Sequence, residues 1–208
     1  MISGFSLPSD VPLFPLEGAL LLPRSRLPLQ VFEPRYLAMV EDCLKTDDRI
    51  LGLIQPKSGG FQDVGCAGRI VGFTETDDGR YMITLLGMSR FQISDVREGF
   101  KPYLLASASW GEYSRDLGPA EQDQEFPRDT FLPTLKKYFK IRDLETDWSS
   151  LENAEDELLI NSLSMLCPFE PKEKQLLLEA QTLADRRQTL QALLEMALHS
   201  GPKKEQIQ

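Results

Sequence analysis

VPLFPLEGALLLPRSRLPLQVFEPRY, residues 11–36, carries five prolines through a long apolar run. Proline lacks the N–H that a helix interior requires, so the run cannot be one helix. The apolar pieces around Leu13-Phe14 and over residues 27–32 read instead as short strands bounded by Pro and Gly. Pro34 then suits the first position of a helix, and Tyr36, Leu37, Val40, Cys43 and Leu44 follow at helical spacing to about Thr46. A strand over residues 50–55 comes next. The segment therefore opens a β-rich fold with one early helix.

Further along, the strand signal strengthens over residues 64–97. Thr76-Asp77-Asp78-Gly79 lies between two alternating runs, 69–74 and 81–85, as a hairpin turn requires. Phe91 and Ile93 alternate with Gln92 and Ser94, and residues 104–110 supply another strand. Gly65, Gly68, Gly72 and Gly87 permit the bulges and bends of a small barrel. Residues 112–127, EYSRDLGPAEQDQEFP, read as a polar linker or loose loop.

Beyond the linker, the period becomes helical. One stripe is Phe131, Leu135, Tyr138 and Phe139; a second is Leu158, Leu159, Leu163 and Leu166, ended by Pro168. Pro171 opens a third helix. A fourth has Thr182 as N-cap, Asp185 three residues on, and Leu190, Leu193, Leu194, Ala197 and Leu198 as its apolar face. The expected class is α+β: a β-rich part over residues 1–118, then a bundle of about four helices over 119–208.

Charge narrows the functional classes. The net charge is −9, with 12 basic against 15 acidic residues up to Gly118 and 11 against 17 beyond it. Neither part has the cationic excess on which nucleic-acid binding rests, although Arg24, Arg26, Arg35 and Arg90 remain a candidate local patch. No apolar run is long enough to span a bilayer, and the N-terminus lacks the pattern of a signal peptide. Cys43, Cys66 and Cys167, odd in number and far apart, suit a reducing cytoplasm.

Catalytic motifs are missing. The single histidine, His199, falls at the end of the last helix, where a cation suits the dipole. The sequence has no phosphate-binding G-x-x-x-x-G-K-[ST], no G-x-S-x-G, and no C-x-x-C or H-E-x-x-H. Glu75, Asp77 and Asp78 are explained by turn chemistry. No cofactor or metal is expected.

Six stretches together carry a resemblance: VPLFPL (11–16), LLPRSRLPLQVFEPRY (21–36), VGCAGRIVGF (64–73), DGRYMITLLGMSRFQI (78–93), EKQLLLEA (173–180) and LADRRQTLQALLE (183–195). They resemble the Lon substrate-binding domain family across nearly the whole chain. The resemblance implies a PUA-like β pseudobarrel followed by a helical bundle. It also implies the substrate-contacting part of Lon without its ATPase and serine-lysine peptidase modules. The expected function is a non-catalytic module for unfolded or hydrophobic-rich polypeptides, or for a protein partner, serving as an adaptor. RNA binding is the alternative, disfavoured by charge. Glu33-Pro34-Arg35-Tyr36 reads either as a strand-to-helix lock or as a partner contact, with Arg35 expected to pair with a carboxylate or a carbonyl. Arg24, Arg26, Arg90 and Phe91 complete the candidate partner-binding set.

Overall fold

The computed structural model describes residues 7–200, which group into two compact units. The first comprises residues 7–120 and Pro168–Glu179; the second comprises Glu121–Cys167 and residues 180–200.

In the first unit, five strands close a ring. Strand β7 (Tyr81–Arg97) pairs along its first two-thirds with β6 (Val64–Glu75), and its last third pairs with β8 (Leu105–Ser109). β6 pairs with β3 (Ile50–Ile54), β3 runs parallel to β1 (Asp10–Pro15), and β1 returns to β8. Strand β2 (Arg26–Val31) adds to the outside of β7 as an edge. Two short strands, β4 (Pro56–Lys57) and β5 (Gly60–Phe61), form a separate hairpin. Residues 81–97, which the sequence splits into two runs, are one long strand. Its partner β6 shifts register around Gly68 and at Val71, so that β7 can serve both sides of the barrel.

Proline sits where a missing donor costs least. Pro28 lies on the edge strand β2 and Pro34 opens helix α1 (Pro34–Leu44). Gly87 allows a close crossing: a Cβ there would lie 2.1 Å from the Leu22 carbonyl oxygen. That crossing is held by Arg24 N–H to Gly87 O at 2.8 Å and Gly87 N–H to Ser25 O at 2.9 Å. Arg24 consequently adopts a left-handed backbone, φ +64°.

Of the opening run, Leu13, Phe14, Leu20, Leu21, Leu22 and Val31 are buried. Phe32, the last apolar residue of the same run, is 62% exposed, because β2 ends at Val31 and the chain turns outward before α1. Phe91 fills the barrel centre with Val11, Leu13, Ile50, Ile54, Ala67 and Ala106, and Trp110 packs on its ring at 5.5 Å.

The presumed loose loop is partly built in. Gly111–Leu117 forms a 3-10 helix with Tyr113 and Asp116 buried, and Asp123 is also buried. Helix α5 (Pro171–Glu179), which its pattern assigns to the bundle, instead groups with the strands. Gln175 donates to Val64 O at 3.2 Å, Lys174 to Gly18 O at 2.8 Å, and Gln55 to Pro171 O at 3.0 Å.

The second unit holds α2 (Arg128–Arg142), α3 (Trp148–Asn153), α4 (Asp156–Leu166) and α6 (Leu183–Ser200). Helix α3, too short for a visible period, starts at Asp147, which accepts from Ser149 and Ser150 N–H. The α4 stripe differs from its pattern: Leu158 and Leu166 are exposed, whereas Leu159, Ile160, Asn161 and Leu163 are buried. Asn161 is satisfied by Arg186 Nη1 at 2.9 Å. Thr182 and Asp185 form the reciprocal cap that opens α6: Asp185 N–H donates to Thr182 Oγ1, and Thr182 N–H to Asp185 Oδ2, each at 3.1 Å.

Candidate interaction cleft

A cleft of about 540 Å³ opens on the first unit. Its floor and walls come from β1 (Leu13, Pro15), the start of α1 (Arg35, Tyr36), β5 (Phe61) and the β7–β8 connection (Glu98, Gly99, Lys101, Pro102, Tyr103, Leu104). Local sequence places each part. Proline at the first helical position turns the chain so that Arg35 and Tyr36 emerge in the first turn of α1. The stretch Glu98-Gly-Phe-Lys-Pro102 cannot continue β7 and bends to β8.

Tyr36 is buried against Phe14 at 4.7 Å between ring centroids. Burial pushes its hydroxyl above the usual range, with the Arg35 charge pulling the other way. The Arg35 guanidinium lies 4.5 Å from the Tyr36 ring centroid and bonds Glu33 Oε2 through Nε at 3.0 Å and Nη2 at 2.8 Å. Arg35 and Glu33 are both substantially exposed, so this pair contributes at most about 1 kcal/mol. Beyond the opposite wall, Asp42 Oδ2 accepts from Lys101 Nζ at 2.5 Å and Tyr103 Oη at 2.8 Å. Those hydrogen bonds, Lys101 first, hold the Asp42 carboxyl down at about 2. Burial, then the bond to Asp42, raises the Tyr103 hydroxyl to about 12. This network ties the β7–β8 connection to α1. At the rim, between Gly99 and Lys101, the Phe100 side chain is fully exposed.

The remaining sequence candidates lie elsewhere. Arg90 is 1% exposed and bonds Asp116 through Nε and Nη2; its Nη1 donates to Leu178 O at 3.0 Å, and its guanidinium lies 4.2 Å from the Tyr113 ring centroid. Neither Arg90 nor Phe91 presents a surface, which corrects their place among partner contacts. Arg24 donates through Nη1 to the Asp116 carbonyl. Arg26 is exposed at the start of β2. Arg24 and Arg90 thus converge on one acidic residue, and the four arginines form no common groove lining. Sequence reasoning missed Phe61, Lys101 and Tyr103. The one local signal available was the EGFKP stretch, whose glycine and proline mark a turn with Phe100 at its centre.

The cleft lining combines Leu13, Pro15 and Phe61 with Arg35, Lys101, Glu98 and the two tyrosines. Among the described residues no group of three or more His, Cys, Asp or Glu is placed to hold a metal. Cys43, Cys66 and Cys167 are buried thiols, and burial pushes Cys43 up to about 12. No helix among the described residues is long and apolar enough to cross a membrane.

Comparison with known proteins places this geometry. Lon protease 2 of Sorangium cellulosum is 29% identical over 105 residues, covering 47% of this chain and 13% of that protease. Lon protease of Buchnera aphidicola is 20% identical over 197 residues, covering 89% and 25%. The chain thus spans a quarter or less of these relatives. The crystal structure of a Lon N-terminal domain protein from Xanthomonas campestris is similar, with a TM-score of 0.65 and 25% identity over 89% of this chain and 98% of that one. The N-terminal domain of a Mycobacterium avium complex Lon protease shares the fold, with a TM-score of 0.63, 14% identity and the same coverage. The model of the ATP-dependent protease La (Lon) substrate-binding domain matches residues 10–196, and the chain belongs to that family.

Proposed function

We propose that this protein is a non-catalytic polypeptide-binding module, and that the cleft between α1 and the β7–β8 connection receives an extended, unfolded segment. The observation that carries the reading is the cleft itself, lined by Phe61, Pro102 and the edges of the largely buried Tyr36 and Tyr103, with Phe100 exposed at its rim. Aromatic walls supply apolar contact at low side-chain entropy cost, and an extended chain satisfies its backbone at the polar rim. Arg35 and Tyr36 are the sequence candidates that take part; Glu33 acts through Arg35. In a cell the module serves as an adaptor that holds unfolded chains for a partner, in the cytoplasm.

Titration with a permanently unfolded, reduced and alkylated protein tests this, with its folded form and a short RNA as comparisons. Binding is expected only to the unfolded chain, on the order of micromolar or weaker, since ordering a flexible segment offsets much of the burial. Phe100→Ala should weaken it several-fold without changing the melting temperature, because the side chain is fully exposed. Equal binding by the variant removes the cleft from the reading. Preference for RNA removes the reading itself.

A further inference from the structure

The second unit carries a groove of its own, about 530 Å³, between the packed helices α2 and α6. Each helix contributes a stripe at helical spacing: Thr134, Lys137 and Ile141 from α2, and Glu195, Leu198 and His199 from α6. Lys140 lines it beside them. The open surface of the groove is mostly apolar: Ile141 is 41% exposed, Leu198 is half-buried, and lysine stems cover apolar surface while their heads stay in water. The Thr134 hydroxyl is already engaged, donating to Thr130 O at 3.1 Å.

The cations here are not neutralised. Lys137 and Lys140 are exposed and form no ion pair among the described residues, whereas neighbouring Lys136 bonds Glu152 Oε1 at 2.7 Å. Glu195 accepts from a neutral donor, Gln191 Nε2, at 3.0 Å. The lining is therefore net positive on a chain whose total is −9. The dipole of α2 favours Lys140 in its last turn, but that effect does not extend to Lys137. The sequence that follows α6 adds Lys203 and Lys204 against Glu205, so it shares the sign of the groove and is a poor occupant for it. A furrow between two helices accepts a third helix, ridge into groove, and cationic rims favour acidic flanks on that helix.

We infer that the α2–α6 groove docks an acidic amphipathic helix of a protein partner. Its apolar stripe packs on Ile141 and Leu198, and its flanking Glu or Asp side chains meet Lys137 and Lys140. None of these residues lines the cleft of the first unit, so this docking surface is independent of the polypeptide-binding reading.

The test records amide shifts of the full chain with two acetylated, amidated peptides of about 18 residues, long enough to form a helix. Both carry the same leucine stripe; one has Glu along its flanks and the other Gln. The Glu peptide should shift residues 134–141 and 195–199. It should bind about fivefold more tightly than the Gln peptide at low salt, as two exposed charge contacts allow. In about 0.5 M salt the ratio should fall towards one. The double variant Lys137→Glu, Lys140→Glu should keep its melting temperature, lose the preference for Glu over Gln, and favour a third peptide with Lys flanks. The comparison of the first two peptides needs no variant, so it decides even if the substitutions disturb folding. Equal binding of both peptides by wild type, shifts confined to other surfaces, or no binding at all overturns the inference. Self-association in sedimentation that the double variant abolishes also overturns it, by assigning the groove to a second copy.

Discussion

Arg90 and Asp116 meet through two parallel hydrogen bonds, Nε to Oδ2 at 2.9 Å and Nη2 to Oδ1 at 2.8 Å, with both side chains 1% exposed. The same Oδ2 accepts from the Arg90 backbone N–H at 2.8 Å. Desolvating two charges is costly, and this geometry recovers the cost only while both partners are present. Asp116→Ala leaves a buried guanidinium without its carboxylate and should cost ~3–5 kcal/mol. Chemical denaturation measures it. The double variant Arg90→Met, Asp116→Leu should recover much of the loss, since it removes both charges.

Gly87→Ala should be destabilising by about 2–3 kcal/mol, because the new methyl meets the Leu22 backbone, which cannot step aside as a side chain would. Gly60→Ala, where a Cβ meets nothing within 4 Å, serves as the control and should change the denaturation midpoint little.

Limited digestion with subtilisin should cut first within residues 118–122, the exposed part of the polar segment. It should spare the residues around Tyr113 and Asp116, which are buried. Mass spectrometry of the earliest fragments reads this, and first cuts between Val64 and Arg97 would contradict it.

Acid should loosen the β7–β8 connection through Asp42. Its folded value of about 2 lies below the unfolded carboxyl, so its contribution is complete above about pH 4 and is lost as pH falls towards 2. Because the group is partly solvated, the contribution is about 1 kcal/mol. Asp42→Asn should lower stability at pH 7 by that amount and make the decline between pH 4 and pH 2 shallower, as urea midpoints at three pH values would report.

Local signals in the sequence carried most of the fold. Proline at Pro28 and Pro34, the Asp78-Gly79 turn and the Thr182–Asp185 cap act over a few residues, and each is formed where its pattern lies. What stayed hidden is non-local. The burial of Arg90 depends on Asp116, 26 residues on, and on Leu178, 88 residues on. An arginine three residues after a glycine in a strand looks the same whether a carboxylate awaits it or water does. The cleft is hidden for the same reason, since β1, α1, β5 and the β7–β8 connection meet only when the strand ring closes. Arg35 and Tyr36 were legible because helix geometry fixes their position; Phe61 and Tyr103 carry no local mark.

Helix α5 belongs with the strands although residues 121–167 intervene. The first unit is therefore unfinished on the ribosome until residue 179 has left the exit tunnel. A nascent chain stopped near Gly118 would hold strands β1 to β8, yet Arg90 Nη1 would lack the Leu178 carbonyl and the Val64 carbonyl would lack Gln175. Synthesis thus delays the barrel's last helix until most of the helical unit has emerged, and an expression fragment ending at Gly118 should be aggregation-prone unless Pro168–Glu179 is supplied.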